Sequence, residues 1–287
     1  MNPRMVDHRA GRPQLPPEVH ALLADTAHAA TDAINHCWST YTREQLVEEV
    51  AVGADGTPTF RMDEIIESAI KQAADSHGVN LLSEELGFYD VGSARTLVID
   101  PLDGSANAAA GVPLSCFSAV LVEDTTPVEA LNVWLETGQT VWARAGVAVP
   151  YRTSGRTDLT TAALGLLRPK VGDFGDTTDA WVALMRASSR VRILSTSCLE
   201  AMLVARGSID AFADPGSDTH RLVDLYAAAL FIPPAGGVVI DAFGRPIELD
   251  RDMTRRWSGI VAASPELGEQ IAAVINANVL VPQGALR

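Results

Sequence analysis

The chain predicts a mixed α/β (α+β) protein of two domains, and three observations carry that prediction. Short β-branched and apolar runs of the kind that form buried strands recur from Thr96–Ile99 to about residue 145. In the second half, short strand-like runs alternate with helix-like segments. Between them, around Pro150 to Asp158, the composition shifts to turn-forming and polar residues. The expected division is a mobile tail over 1–14, an N-terminal α+β domain over 15–150 and a C-terminal α/β domain over 151–287. A chain of 287 residues with 47% hydrophobic content is long enough to bury a large core.

Pro16-Pro17 can open a helix that runs to about Ser39, with Val19, Leu22, Leu23, Thr26, Ala27, Ala30 and Ala33 on one stripe. A turn-rich connector follows at Gly53 to Thr59. The next helix is expected from Met62 to Ser76, because Met62, Ile65, Ile66, Ala69, Ile70 and Ala73 recur at i, i+3, i+4 spacing. Asp63 falls in its first turn. Strands over 114–122, 128–135 and 140–145 read as one antiparallel sheet. In the second half the strands are placed at 162–167, 191–194, 209–213, 238–241 and 259–263. Its helices are placed at 178–187, 197–205, 222–232 and 265–276.

The net charge of −14 argues against a nucleic-acid or anionic-membrane surface. No run approaches the roughly 20 apolar residues of a membrane span. Residues 1–14 lack the apolar stretch of a signal peptide. Cys37, Cys116 and Cys198 are scattered and odd in number, without a Cys-x-x-Cys, which points to neither a disulfide framework nor a zinc site. A soluble, cytoplasmic protein is expected.

The chemistry concentrates in Glu84 to Asn107. Asp100 follows the Thr96–Ile99 run, and Pro101, which cannot donate to a sheet, forces a turn. Asp103 returns on the same side, and Gly104 lets the backbone come close to whatever the carboxylates hold. With Glu84 from a neighbouring segment, these groups form an oxygen-rich nest that repels itself unless hard cations such as Mg²⁺ fill it. Asp-Pro, Asp-Gly and Glu-Glu are each ordinary taken singly; it is Asp-Pro-Leu-Asp-Gly-Ser directly after an apolar strand that is distinctive. Further on, Ser197-Cys198-Leu199-Glu200 reads as a capping box, announcing a helix N-terminus that favours an anion.

On Glu84-Glu85 and Asp100 to Ser105 the chain resembles the inositol monophosphatase superfamily of Mg²⁺-dependent, lithium-sensitive sugar phosphatases. Gly53 to Thr59, Asp63 with Glu67, and Asn107 resemble its branch acting on both inositol phosphates and fructose 1,6-bisphosphate. The resemblance spans about Gly53 to Ala263. It implies a layered α/β/α/β/α sandwich with the metal site between two domains, usually in a homodimer. Asp224, followed by an alanine-rich run and Ala235-Gly236-Gly237, matches the family's last metal ligand, although Val223 stands where a Trp is common. The implied ligands are Glu84, Asp100, the Leu102 carbonyl, Asp103 and Asp224, holding two or three Mg²⁺ that Mn²⁺ can replace and Li⁺ inhibits.

Direct in-line attack by a metal-activated water then follows, oriented by Ser105 and Glu84, with Asp63 as a further catalytic residue. Gly104, Ser105 and the segment Ser195, Thr196 and Ser197 are expected to cradle phosphate, and Asp214 to contact substrate hydroxyls. Arg221 and Lys170 are candidates for a second phosphate. The expected partner is a small phosphorylated sugar or polyol. Two other readings stand beside it: a phosphatase for 3′-phosphoadenosine 5′-phosphate, and a metal-binding regulatory protein without turnover.

Overall fold

A computed structural model describes residues 8–172 and 175–279. The chain groups into two compact units: the first runs through Ala148 and includes Thr196–Leu199 and Leu249–Arg255, and the second holds the rest.

In the first unit, helix α1 (Ala21–Thr40) precedes a small hairpin of β1 (Glu49–Val52) and β2 (Pro58–Phe60), then α2 (Arg61–Asp75). The sheet strands are β3 (Asn80–Ser83), β4 (Gly87–Tyr89), β5 (Arg95–Asp103), β6 (Cys116–Glu123), β7 (Thr126–Trp134) and β8 (Gln139–Arg144), with the short α3 (Ser105–Ala110) after β5. Their order is β4-β3-β5-β6-β7-β8; β3 and β5 run parallel and every other pair is antiparallel. The apolar stripes of α1 and α2 pack with Leu81, Leu97, Ile99, Phe117 and Leu131 of the sheet in one core.

Three expectations need correcting here. Residues 8–14 are not a tail: Gly11 N donates to Leu135 O and Gln14 N to Gly138 O, both at 2.8 Å, and the His8 ring lies 5.8 Å from that of Trp38. Residues 1–7 of the expected tail fall outside the described residues. Helix α1 starts at Ala21 rather than at the prolines, because His20 caps it by accepting from Leu22 N at 3.1 Å. Strand β5 does not stop at Pro101. It carries on to Asp103 through an irregularity in which Asp100 pairs with Ser118 and Asp103 with Cys116. A proline is tolerated at such a bulge because it removes only an N–H that the ladder does not use.

The second unit holds β9 (Ala163–Leu166), α4 (Thr178–Ala187), β10 (Arg190–Arg192), the later part of α5 (Ser197–Ala205), β11 (Ala211–Ala213), α6 (Leu222–Phe231), β12 (Val238–Asp241), β13 (Gly259–Ala262) and α7 (Pro265–Asn278). Its sheet has the order β10-β9-β11-β13-β12, parallel among the first three and antiparallel thereafter. Leu164, Leu184, Ile260, Leu267 and Ile271 anchor its core. Pro233-Pro234 ends α6 cleanly: a short 3₁₀ turn over Pro233–Ala235 closes on Gly236 at φ +97°. No described helix is long and apolar enough to cross a membrane.

Candidate active site

The bulge in β5 aims two carboxylates the same way. Asp100 is 1% exposed, and its Oδ1 accepts from Leu102 N at 3.1 Å. Asp103, opposite Cys116, reaches the start of α5, where it accepts from Thr196 Oγ1 (2.5 Å), Ser197 N (3.1 Å) and Cys198 N (2.7 Å). The capping box read at Ser197 is therefore replaced. Helix α5 begins at Ser197 itself, and its first amides go to Asp103 from another segment, an arrangement the helix dipole favours. Burial, then the Asp103 and Asp100 carboxylates, push the Cys116 thiol well above its ordinary range.

Gly104 sits at φ +86°, and a Cβ there would stand 2.7 Å from Leu114 O, so only glycine fits between the two aspartates and α3. Ser105 Oγ donates to Leu102 O at 2.9 Å, leaving its own oxygen lone pairs to accept. Ligand atoms of Asp100, Asp103 and Cys198 lie within 4.8 Å of one another; among the described residues this cluster does not include Glu84.

Glu84 is buried between β3 and β4 and is held by the backbone: its carbonyl accepts from Asp55 N at 3.1 Å, and that of Glu85 from Ala54 N at 3.0 Å. The segment read as a connector is thus the hairpin tip that pins the acidic pair. Behind it, burial chiefly, with help from Asp63, Glu67 and Asp55, pushes Glu85 up to about 7 against a hydrogen bond from the Thr59 hydroxyl. Glu67 accepts from the Ser83 hydroxyl and, at 3.2 Å, from Leu86 N, and burial raises it too. Asp63, near the start of α2, accepts from Phe60 N at 3.3 Å.

In the second unit, Asp214 directly follows β11 and is fully buried. Its oxygens accept from Gly216 N (3.0 Å), Ser217 N (2.6 Å), Ser217 Oγ (2.7 Å) and Thr219 N (2.8 Å), so it organises its own loop. Asp224, the third residue of α6, accepts from Arg221 N at 2.6 Å and from the Arg221 guanidinium at 3.2 and 3.3 Å. Burial pushes its carboxyl up, but Arg221 and then His220 outweigh that and hold it below its ordinary value. Arg245 pairs with Asp218 at 2.6 Å. Burial lowers the Lys170 ammonium, with Asp214 opposing. Ser195 lies at φ +59°, a region serine seldom occupies.

Sequence reasoning missed Cys198 as a neighbour of the aspartates and Arg221 as the partner of Asp224. Position i, i+3 across a helix start was a usable signal for the second; nothing local signalled the first.

The fold and this carboxylate nest define an α/β phosphoric monoester hydrolase, as the comparisons with known proteins bear out. The inositol monophosphatase family model matches residues 18–280. A fructose-1,6-bisphosphatase/inositol-1-monophosphatase of Thermococcus kodakarensis is 31% identical over 77% of this chain and 84% of its own. A bifunctional NADP phosphatase/NAD kinase of Methanococcus maripaludis is 28% identical over 80% of this chain and 45% of its own. A solved inositol monophosphatase-fructose 1,6 bisphosphatase superposes with a TM-score of 0.76 at 26% identity, covering 86% of this chain and 96% of that one. The chain belongs to the inositol monophosphatase family.

Proposed function

We propose that this protein hydrolyses small sugar or polyol phosphates, inositol monophosphate and fructose 1,6-bisphosphate foremost, with Mg²⁺ as its cofactor. The observation that carries the reading is the convergence of Asp100 and Asp103 within one buried nest beside the Leu102 carbonyl, in a chain of this family. Carboxylate and carbonyl oxygens are the donors that Mg²⁺ selects, so the residues fit the ion. Glu84, Asp100, the Leu102 carbonyl, Asp103 and Asp224 would hold two or three ions, with Mn²⁺ able to substitute and Li⁺ inhibitory. When bound, the ions supply positive charge to the transferring phosphoryl group and its leaving oxygen and acidify the attacking water.

The chain's own residues do the positioning. Ser105, its proton given to Leu102 O, accepts from the attacking water and turns that water's lone pair toward phosphorus. Glu84 orients the same water, with Asp63 supporting the acidic cluster. The backbone N–H groups of Gly104 and Ser105 would meet the phosphate oxygens, with Ser195, Thr196 and Ser197 bordering them. Asp214 holds the loop from which substrate hydroxyls are met, and Arg221 takes a second phosphate. A homodimer in the cytoplasm completes the proposal.

A second reading is a phosphatase for nucleotide monoesters such as 3′-phosphoadenosine 5′-phosphate, favoured in part by the NADP phosphatase relative. Phosphate release with Mg²⁺ from inositol 1-phosphate, fructose 1,6-bisphosphate, 3′-phosphoadenosine 5′-phosphate and NADP⁺ decides between them. Preference for either nucleotide selects the second reading; release from none would leave a metal-binding regulatory protein.

A further inference from the structure

One sulfur shares the nest with the oxygens. The sheet register explains how it is framed. Asp100, Ser118 and Asn132 are direct cross-strand neighbours on β5, β6 and β7, so their side chains stand on one face. Asn132 is 1% exposed, and its Nδ2 donates to the Cys198 carbonyl at 3.1 Å, which fixes the orientation of the amide. Its Oδ1 is buried and has no hydrogen-bond partner. An amide oxygen in that state is destabilising unless something electropositive satisfies it. It lies on the face that carries Asp100 and against the residue that carries the third ligand atom of the cluster.

We propose that a thiophilic divalent cation of the Zn²⁺ or Cd²⁺ kind binds at Asp100, Asp103 and Cys198, in competition with Mg²⁺. The proposal rests on reading Asp100 and Asp103 as the metal nest. Mg²⁺ takes oxygen ligands, whereas a thiolate selects softer ions, and Zn²⁺ outranks Mg²⁺ at mixed sites. Donors around tetrahedral zinc stand about 3.5 Å apart, so three atoms already within 4.8 Å need only a small closure. Thr196 Oγ1 and Cys198 N hold Asp103 Oδ2 from behind, the outer-partner arrangement that orients a ligating carboxylate. The unpartnered Asn132 amide oxygen stands on that same face. The sulfur–metal bond forms as the thiol proton leaves to solvent, and no electron is transferred. Cys116 shares the face, but its Sγ donates to Phe117 O at 3.4 Å and stands outside the cluster. Such a cation takes two carboxylates from Mg²⁺, so it inhibits.

The test titrates metal-stripped protein with Cd²⁺ and follows the ultraviolet thiolate-to-cadmium charge-transfer band. Wild type should show a band saturating at one equivalent and reversed by excess Mg²⁺. Cys198→Ser should lose it, Cys116→Ser should keep it, and Asp103→Asn should weaken Cd²⁺ binding beyond the tenfold that outer partners are commonly worth. No band in wild type, a band surviving in Cys198→Ser, or a band indifferent to Mg²⁺ overturns the proposal. If Cys198→Ser fails to fold, cadmium-113 NMR of wild type decides the same point, since sulfur ligation shifts the resonance far from that of an all-oxygen site. Mg²⁺-dependent phosphate release is measured separately. Its absence with the band intact would count against the proposed function and leave this site standing.

Discussion

Two sets of buried carboxylates meet their charge in different ways. Asp103, at the end of β5, accepts from neutral donors that include one hydroxyl and two amides at the start of α5. Asp224, in the first turn of α6, is met by the Arg221 guanidinium as well as an amide. Neutral donors orient a carboxylate without cancelling its charge; a guanidinium supplies a cation of its own. On the proposed reading, metal completes the strand pair, while Arg221 already offsets part of the charge of the helix aspartate.

The largest expected effect breaks the strand side. Asp100→Asn should lower Mg²⁺-dependent turnover by at least ~10³-fold, beyond what loss of a single transition-state hydrogen bond costs. In chelator the variant should melt no lower than wild type, because a like charge beside Asp103 has been removed. Near wild-type phosphate release at saturating Mg²⁺ would sink the assignment. Next in size, Ser105→Ala should lose about 10²-fold in kcat while Mg²⁺ affinity stays. Collapse of metal affinity with kcat preserved would make Ser105 part of the metal shell instead.

Much of this comparison was legible in the sequence and part was not, for identifiable reasons. The stripe from Met62 to Ala73 marks α2 because one face of a helix records its partner in local spacing. The strands and helices of the second half fall within a few residues of their expected places for the same reason. Asp100, Asp103 and Gly104 stood out because strand end, proline and glycine lie within five residues. What escaped depends on contacts distant in sequence. Gly11 meets Leu135, Ala54 meets Glu85, and Cys198 meets Asp103, and none of these leaves a periodic trace. The bulge that carries β5 past Pro101 depends on Cys116 pairing with Asp103, which Pro101 alone does not announce.

Arg221→Ala tests the helix side. The side chains of Arg221 and Asp224 are 21% and 5% exposed, so removing the arginine leaves a nearly buried carboxylate without its guanidinium. Breaking a buried pair costs about 3–5 kcal/mol, and partial exposure brings the expectation to about 2. Melting in chelator should fall accordingly, and Mg²⁺ should raise it more than in wild type if Asp224 is a ligand. An equal deficit with and without Mg²⁺ would mark the pair as purely structural. On substrates, the variant should lose about tenfold in kcat/KM for fructose 1,6-bisphosphate, the equivalent of 1.4 kcal/mol, and little for inositol 1-phosphate. Equal losses would mean that Arg221 acts through Asp224 and not on a second phosphate.

The smallest effect sharpens the contrast in backbone rather than charge. Arg221, which supports Asp224, sits at φ −96° in relaxed extended backbone. Ser195, which leads directly into the donors of Asp103, sits at φ +59°. A Cβ in that region costs roughly 1–2 kcal/mol, while glycine loses about 0.5–1 kcal/mol more chain entropy on folding than other residues. Ser195 is exposed, so its side chain contributes little packing to offset the strain. Ser195→Gly should therefore stabilise the protein by about 0.5 kcal/mol, seen as a rise of roughly 1–2 °C in Tm. If the hydroxyl borders the phosphate as proposed, KM for inositol 1-phosphate should rise with it. A rise in Tm with KM unchanged would assign Ser195 a backbone role alone. A fall in Tm would show that the left-handed turn is stabilised by the serine itself, and the contrast between the two carboxylate supports would then rest on charge only.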